Sequence, residues 1–159
     1  MKNECVVVIL SYNSAGIIGE TLGQALMAST NVLLVDSGST DATCDIARKL
    51  GCTVLHRPFS NYSDQRNWAI KQVTDEYEWQ LHLDADEVLD NLAIEEIRMA
   101  VVTGKHSAYM LRRRDYFMGR ELKHSGVNPW HLRLFRSPQL FCPLDQLQSS
   151  MLLNGMNRP

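Results

Sequence analysis

Acidic residues stand where a ligand could reach them. Asp84, Asp86 and Glu87 fall within four positions, directly after the apolar run Trp79–Leu83, and Asp36 directly follows a second run, Val32–Val35. Carboxylates in such places can accept hydrogen bonds from a base or ribose, or hold a hard cation. Asp84 and Asp86 are two apart, so in an extended chain their side chains project the same way. Two like charges that close raise each other's pKa, and a divalent cation removes the repulsion. Oxygen-only ligands suit Mg²⁺ or Mn²⁺, and a cation held by one or two carboxylates keeps positions open for a diphosphate. The same carboxylates would repel a bare phosphate. Neither a GxGxxG nor a GK[ST] pattern is present, which argues against dinucleotide-binding and P-loop readings.

These residues need strands to end on. Cys5–Ser11 is short, continuous and β-branched, which predicts a buried strand, and Val32–Val35, Thr53–Leu55 and Trp79–Leu83 predict three more. Between them lie helical patterns. One is capped by Asn13 or Ser14 and carries Ile18, Leu22, Ala25 and Leu26, a second spans Ala42–Leu50 before Gly51, and a third is capped by Ser63 and runs from Asp64 to about Val73. A fourth helix, Leu92–Thr103, closes at Gly104. Strand–helix alternation implies an α/β fold, a mainly parallel central sheet flanked by helices. In such sheets ligands bind at the carboxyl ends of the strands. Here those ends hold Ser11-Tyr12-Asn13, Asp36 and Asp84-Ala85-Asp86-Glu87. Beyond Gly104, Ala108–Phe117 and His131–Arg136 read as strands joined by a loop from Met118 to Pro129. The stretch from Cys142 to Pro159 shows no clear element.

The 159 residues, 45% of them apolar, suit one soluble domain with a real core. The run Cys5–Leu10 is too short for a membrane span and lacks a signal-peptide cleavage pattern, which places the chain in the cytoplasm. Four cysteines without a CxxC pair read as reduced thiols, and five histidines show no metal-ligand spacing. Charge is lopsided: residues 1–104 carry 15 acidic and 7 basic side chains, residues 105–136 carry 8 basic and 2 acidic. Arg112-Arg113-Arg114 is either a solvated edge strand or a contact to an anionic acceptor or anionic lipid. Nucleic acid is a poor third, since the run lacks interleaved aromatic platforms.

The ordered set of segments resembles the family 2 glycosyltransferases of the GT-A fold, and within them the lipopolysaccharide-core glucosyltransferases of bacteria. The residues that carry the likeness are Leu33–Asp41, Leu81–Glu87, His56-Arg57-Pro58-Phe59, Gln65-Arg66-Asn67-Trp68-Ala69, Arg113–Arg120 and Arg133-Leu134-Phe135-Arg136. It runs from about Cys5 to Phe141, so residues 1–141 are expected to form the nucleotide-sugar-binding domain and 142–159 an unassigned tail. The resemblance implies that Ser11, Tyr12 and Asn13 lie beside nucleobase and ribose, and that Asp36 accepts the imide N–H of uracil. It also implies that Asp84 and Ala85 line the donor site, with Asp84 on ribose or in the metal shell. Asp86 would ligate the Mg²⁺ or Mn²⁺ bridging the phosphates, and Arg66 or Asn67 would touch the nucleotide. The implied reaction moves a sugar from a UDP-sugar to a hydroxyl of a glycan or lipid-linked acceptor with inversion. It would take place in the cytoplasm, with the protein peripheral on the inner face of the membrane.

Against each of these stands a plainer expectation. Asp36 could equally be satisfied by the backbone N–H groups of its own turn, and Asp41 reads as a helix N-terminal acid. The family continues to an acidic base, often within a His-Glu pair; no such pair is present, so no general base is assigned, and Asp145 has no positional claim. The alternative reading is a truncated, non-catalytic domain that binds a nucleotide-sugar or a protein partner. Apolar surface exposed by a missing portion would then favour a homodimer.

Overall fold

Seven consecutive buried residues, Cys5–Ser11, form β1 at the middle of a six-stranded sheet. The structure is a computed structural model and describes residues 4–118, 120–121 and 130–137. In chain order the elements are β1 (Cys5–Ser11), α1 (Ile18–Ala28), β2 (Asn31–Asp36), α2 (Thr43–Lys49), β3 (Thr53–His56), α3 (Tyr62–Val73) and β4 (Trp79–Asp84). There follow α4 (Asn91–Thr103), β5 (Ala108–Arg112), β6 (Tyr116–Phe117), β7 (Arg120–Glu121) and β8 (Trp130–Arg136). The sheet order is β3-β2-β1-β4-β8-β5, with β6 and β7 a separate antiparallel ribbon. The strands β1 to β4 are parallel to one another, and β8 runs antiparallel between β4 and β5. The expected α/β architecture with a mainly parallel sheet is what the chain adopts.

A parallel strand is covered on both faces, so its residues are buried on both. On one face Val7, Ile9, Leu34, Leu81 and Leu83 pack with Ile18 and Leu22 of α1, Ala47 of α2 and Ile94 and Ile97 of α4. On the other, Val6, Val8, Leu10, Leu33 and Val35 pack with Ala69 and Val73 of α3. Gln80 and His82 alternate with the apolar residues of β4 yet are also buried, because β8 and α3 cover them. Gln80 Nε2 donates to Ser137 Oγ at 3.0 Å, and a ring nitrogen of His82 lies 3.0 Å from Gln80 Oε1. Burial, helped by the charges of Arg66 and Arg133, drives the His82 pKa well below its ordinary value, so this imidazole is neutral.

Two expectations about helix caps and one about a strand are corrected. Neither Asn13 nor Ser14 caps α1 with its side chain; the Ser14 hydroxyl donates to Tyr12 O, and the helix begins at Ile18. The cap of α3 is Asn61 rather than Ser63, its Oδ1 accepting from Asp64 N at 2.8 Å. Asp90 caps α4 in the same manner. The expected strand Ala108–Phe117 stops at Arg112, where its ladder with β8 ends opposite Trp130. Arg113 then pairs with Asp115 at 2.8 Å and Arg114 with Asp90, contacts that take the charged residues out of the ladder. His124, Phe141, Cys142, Asp145 and the 142–159 tail lie outside the described residues.

Leu81 is fully buried at the centre of the sheet. Leu81→Ala is expected to cost about 2–5 kcal/mol, read from the denaturation midpoint at constant m-value. A cost near zero would mean that β4 is not a central strand.

Candidate functional site at the carboxyl edge of the sheet

Strand register brings the polar residues to one edge. Ser11 lies opposite Asp36, Leu10 opposite Asp84, and Asp36 opposite His56. Asp36 and Asp84 are therefore separated by one strand, roughly 9.6 Å at the usual interstrand spacing. They leave the edge on opposite faces. Asp36 follows Val35 of the α3 face and so turns toward α2, whereas Asp84 follows Leu83 of the other face and turns toward α3.

Asp36 is fully buried and fully engaged. Its Oδ2 accepts from Gly38 N at 2.9 Å and Ser39 N at 2.8 Å, and its Oδ1 accepts from the hydroxyls of Ser39 and, at 3.3 Å, Ser11. Gly38 supplies a φ of 97°, a backbone conformation that suits glycine and lets its N–H aim back at the carboxylate. Burial raises the Asp36 pKa, but these hydrogen bonds outweigh it and hold the group below its ordinary value. Four donors for four lone pairs match the plainer expectation for this residue. A further donor would reach Asp36 only after a hydroxyl, Ser11 or Ser39, rotates away.

The loops after β1 and β2 are stitched together. Asn13, at φ 45°, donates its N–H to Ser39 Oγ at 2.8 Å and accepts from Thr40 N at 2.9 Å. Ala15 N donates to Asp41 Oδ2 at 3.0 Å, and Ser14 N to Thr43 Oγ1 at 2.7 Å. Tyr12, next in the chain to Ser11, the strand partner of Asp36, is 61% exposed.

At the other end of the edge, Asp84 is clamped by two arginines: Arg66 of α3 at 2.7 Å on Oδ1 and Arg133 of β8 at 2.9 Å on Oδ2. Arg133 also pairs with Glu87, whose other oxygen accepts from Asp84 N at 3.0 Å. Burial raises the Asp84 pKa; the arginines more than offset this and leave it lowered. The expectation that Asp86 raises it is corrected, because the chain is not extended there. Asp84 ends β4, and a turn closed by Glu87 N to Asp84 O at 3.0 Å carries Ala85 and Asp86. The Ala85 carbonyl accepts from Thr21 of α1 at 2.8 Å, and Asp86 is exposed with no ion pair among the described residues. Among those residues, Asp84, Asp86 and Glu87 do not converge as a ready three-ligand group. All three line a cleft of about 780 Å³ walled by α4, β5 and β8, with Arg112, Arg113, Trp130, His131 and Arg133. Asp36, Ser11, Tyr12 and Asn13 lie outside its wall. Asn67 is half-buried on α3 beside Arg66.

Residues 6–151 match the family model described as glycosyl transferase family 2. The chain belongs to that family. An uncharacterized glycosyltransferase of Rickettsia conorii is 29% identical to this family 2 domain over 102 residues, 64% of this chain and 36% of that protein. The lipopolysaccharide core biosynthesis glycosyltransferase LpsC of Rhizobium meliloti is 26% identical over 139 residues, 83% of this chain and 48% of LpsC. Among solved structures, S. aureus TarS 1-349 in complex with UDP-GlcNAc superposes with a TM-score of 0.58 at 26% identity, covering 77% of this chain and 37% of TarS. The domain thus spans about a third to a half of the proteins it matches.

Arg133 holds two of the three acidic residues, yet nothing in the sequence gives it that role. It sits 49 positions from Asp84, and only the β4–β8 pairing discloses the contact. Cys44 and His56, which flank Asp36, were likewise not placed at the site.

A lowered carboxylate contributes stability that is complete above its ordinary pKa, about 3.9, and lost as pH falls through the folded value. Carbon-detected NMR should show Asp84 titrating below the ordinary value. In Arg66→Met/Arg133→Met only burial remains, and Asp84 should titrate above it. An unchanged titration in the double variant would show that the arginines do not set it.

Proposed function

We propose that this family 2 domain binds a UDP-sugar across the carboxyl edge of its sheet and transfers the sugar, with inversion, to a hydroxyl of a glycan or lipid-linked acceptor. The observation that carries the reading is the register that aligns Ser11, Asp36 and Asp84 along that edge. Nucleobase and ribose would lie over Tyr12, Asn13 and Asp36, and the diphosphate beside Asp84, Ala85 and Asp86. Arg66, with Asn67 next to it, borders the same path. Support comes from TarS, whose structure holds UDP-GlcNAc, and from LpsC, named for lipopolysaccharide core biosynthesis. Cell-envelope polysaccharide or lipopolysaccharide-core synthesis, in the cytoplasm and peripheral on the membrane, is the setting we infer. Among the described residues no helix is long and apolar enough to cross a membrane.

Mg²⁺ or Mn²⁺ fits the donor set: Asp86 offers an exposed carboxylate with no ion pair among the described residues, and Asp84 a second whose oxygens now face arginines. Such a cation would stabilise the charge that develops on the departing diphosphate. The arginines that now neutralise Asp84 stand where the phosphates would lie, so they can turn to them once a cation takes the carboxylate. A general base for the acceptor hydroxyl is not assigned to any residue.

Calorimetry should show UDP binding that requires Mg²⁺ or Mn²⁺, and Asp86→Ala should weaken the metal-dependent binding roughly tenfold or more. Equal affinity with and without chelator would contradict the metal reading. Asp36→Asn sets an amide donor against the N–H groups of Gly38 and Ser39, and should weaken UDP binding by roughly tenfold with the far-UV spectrum retained. A second reading is a domain that binds the donor without transferring the sugar. Donor binding without sugar transfer to lipid-linked acceptors would favour it.

A further inference from the structure

Asp36 has two neighbours that the donor-binding reading does not use. Cys44, in the first turn of α2, is buried, and its Sγ lies within 4.8 Å of a carboxylate oxygen of Asp36. His56, the last residue of β3, is the cross-strand partner of Asp36; its Nδ1 lies 3.5 Å from Asp36 Oδ2, and its side chain is 58% exposed. One donor atom from each of the three lies within 4.8 Å of the others. Two ligands at about 2.1 Å on a tetrahedral ion are separated by roughly 3.4 Å, so the Asp36–His56 spacing already suits a common ion.

We propose that Asp36, Cys44 and His56 form a site for a thiophilic divalent cation such as Zn²⁺, distinct from the oxygen-only Asp84–Asp86 position. The donor set, one carboxylate oxygen, one thiolate and one imidazole, is the chemistry of zinc and cobalt rather than of magnesium. Two of the ligands are fixed on adjacent strands and the third on the first turn of a helix, so little reorganisation is needed. The exposed imidazole forms the entrance, and a fourth position stays open to water. Binding releases the Cys44 thiol proton to solvent. Oδ2, the oxygen 3.5 Å from His56, accepts from the Gly38 and Ser39 N–H groups, so the ion would take Oδ1 once the hydroxyls of Ser11 and Ser39 rotate from it. Arg48, whose Nη2 stands 3.4 Å from His56 Nε2, is exposed on α2 and can swing aside when that nitrogen carries the proton. On the reading that Asp36 meets the nucleobase, an ion here competes with the donor, so zinc would inhibit donor binding. This last step rests on that reading; the metal site itself does not.

Cobalt titration of the full chain tests the site. The expected result is a thiolate-to-cobalt charge-transfer band at one equivalent, lost in both Cys44→Ser and His56→Ala with Cys5 and Cys52 left in place. No band, or a band that survives Cys44→Ser, overturns the proposal. Far-UV spectra of the variants exclude misfolding, and Asp45→Asn, on the exposed side of α2, should keep the band. Competition is read separately. Zinc at ten times its own dissociation constant should weaken UDP affinity about elevenfold in the wild type and leave Cys44→Ser unaffected. A band without competition upholds the metal site and overturns the assignment of Asp36 to the nucleobase.

Discussion

The parallel pairing of β1 with both β2 and β4 is the constraint on which the site depends. It sets Ser11 beside Asp36 and Leu10 beside Asp84, so residues far apart in the chain reach one edge within one residue of each other in register. A slip of one residue in either pairing would exchange the faces of the slipped strand, burying a carboxylate in a core face and expelling an apolar residue. The apolar cores on the two faces therefore hold the polar edge in place. The chemistry is positioned by residues that take no part in it.

The edge is divided between two electrostatic solutions. At Asp36 a turn supplies neutral donors, and the carboxylate is held ionised by hydrogen bonds alone. At Asp84 two arginines from α3 and β8 do the same by charge. Each arrangement keeps its carboxylate ionised despite burial, which is what a group that is to meet a cation or an N–H donor requires. They differ in what a ligand must displace. Rotating a hydroxyl near Asp36 is a local event, whereas freeing Asp84 requires two cations to find another anion, and a diphosphate is one.

Much of the sheet is legible in the sequence, because buried parallel strands read as short β-branched runs and Gly51 and Gly104 mark helix ends. The caps are less so. Asn61 and Ser63 both have side chains able to cap a helix; Asn61 takes the role because α3 begins at Tyr62, which leaves Ser63 inside the first turn. The expected strand Ala108–Phe117 ends at Arg112, and the next two arginines, Arg113 and Arg114, pair with Asp115 and Asp90 instead of continuing the ladder.

The residue types along the chain were enough to show that Asp36 and the 84–87 cluster end strands, and that oxygen ligands there suit a hard cation. They could not show that the chain turns at Ala85 and Asp86, nor that Arg133 comes from β8 to occupy Asp84 and Glu87. Periodicity is a local property, carried by neighbours in sequence. Which charge neutralises which is decided by pairings between strands dozens of residues apart, and those exist only in the folded chain.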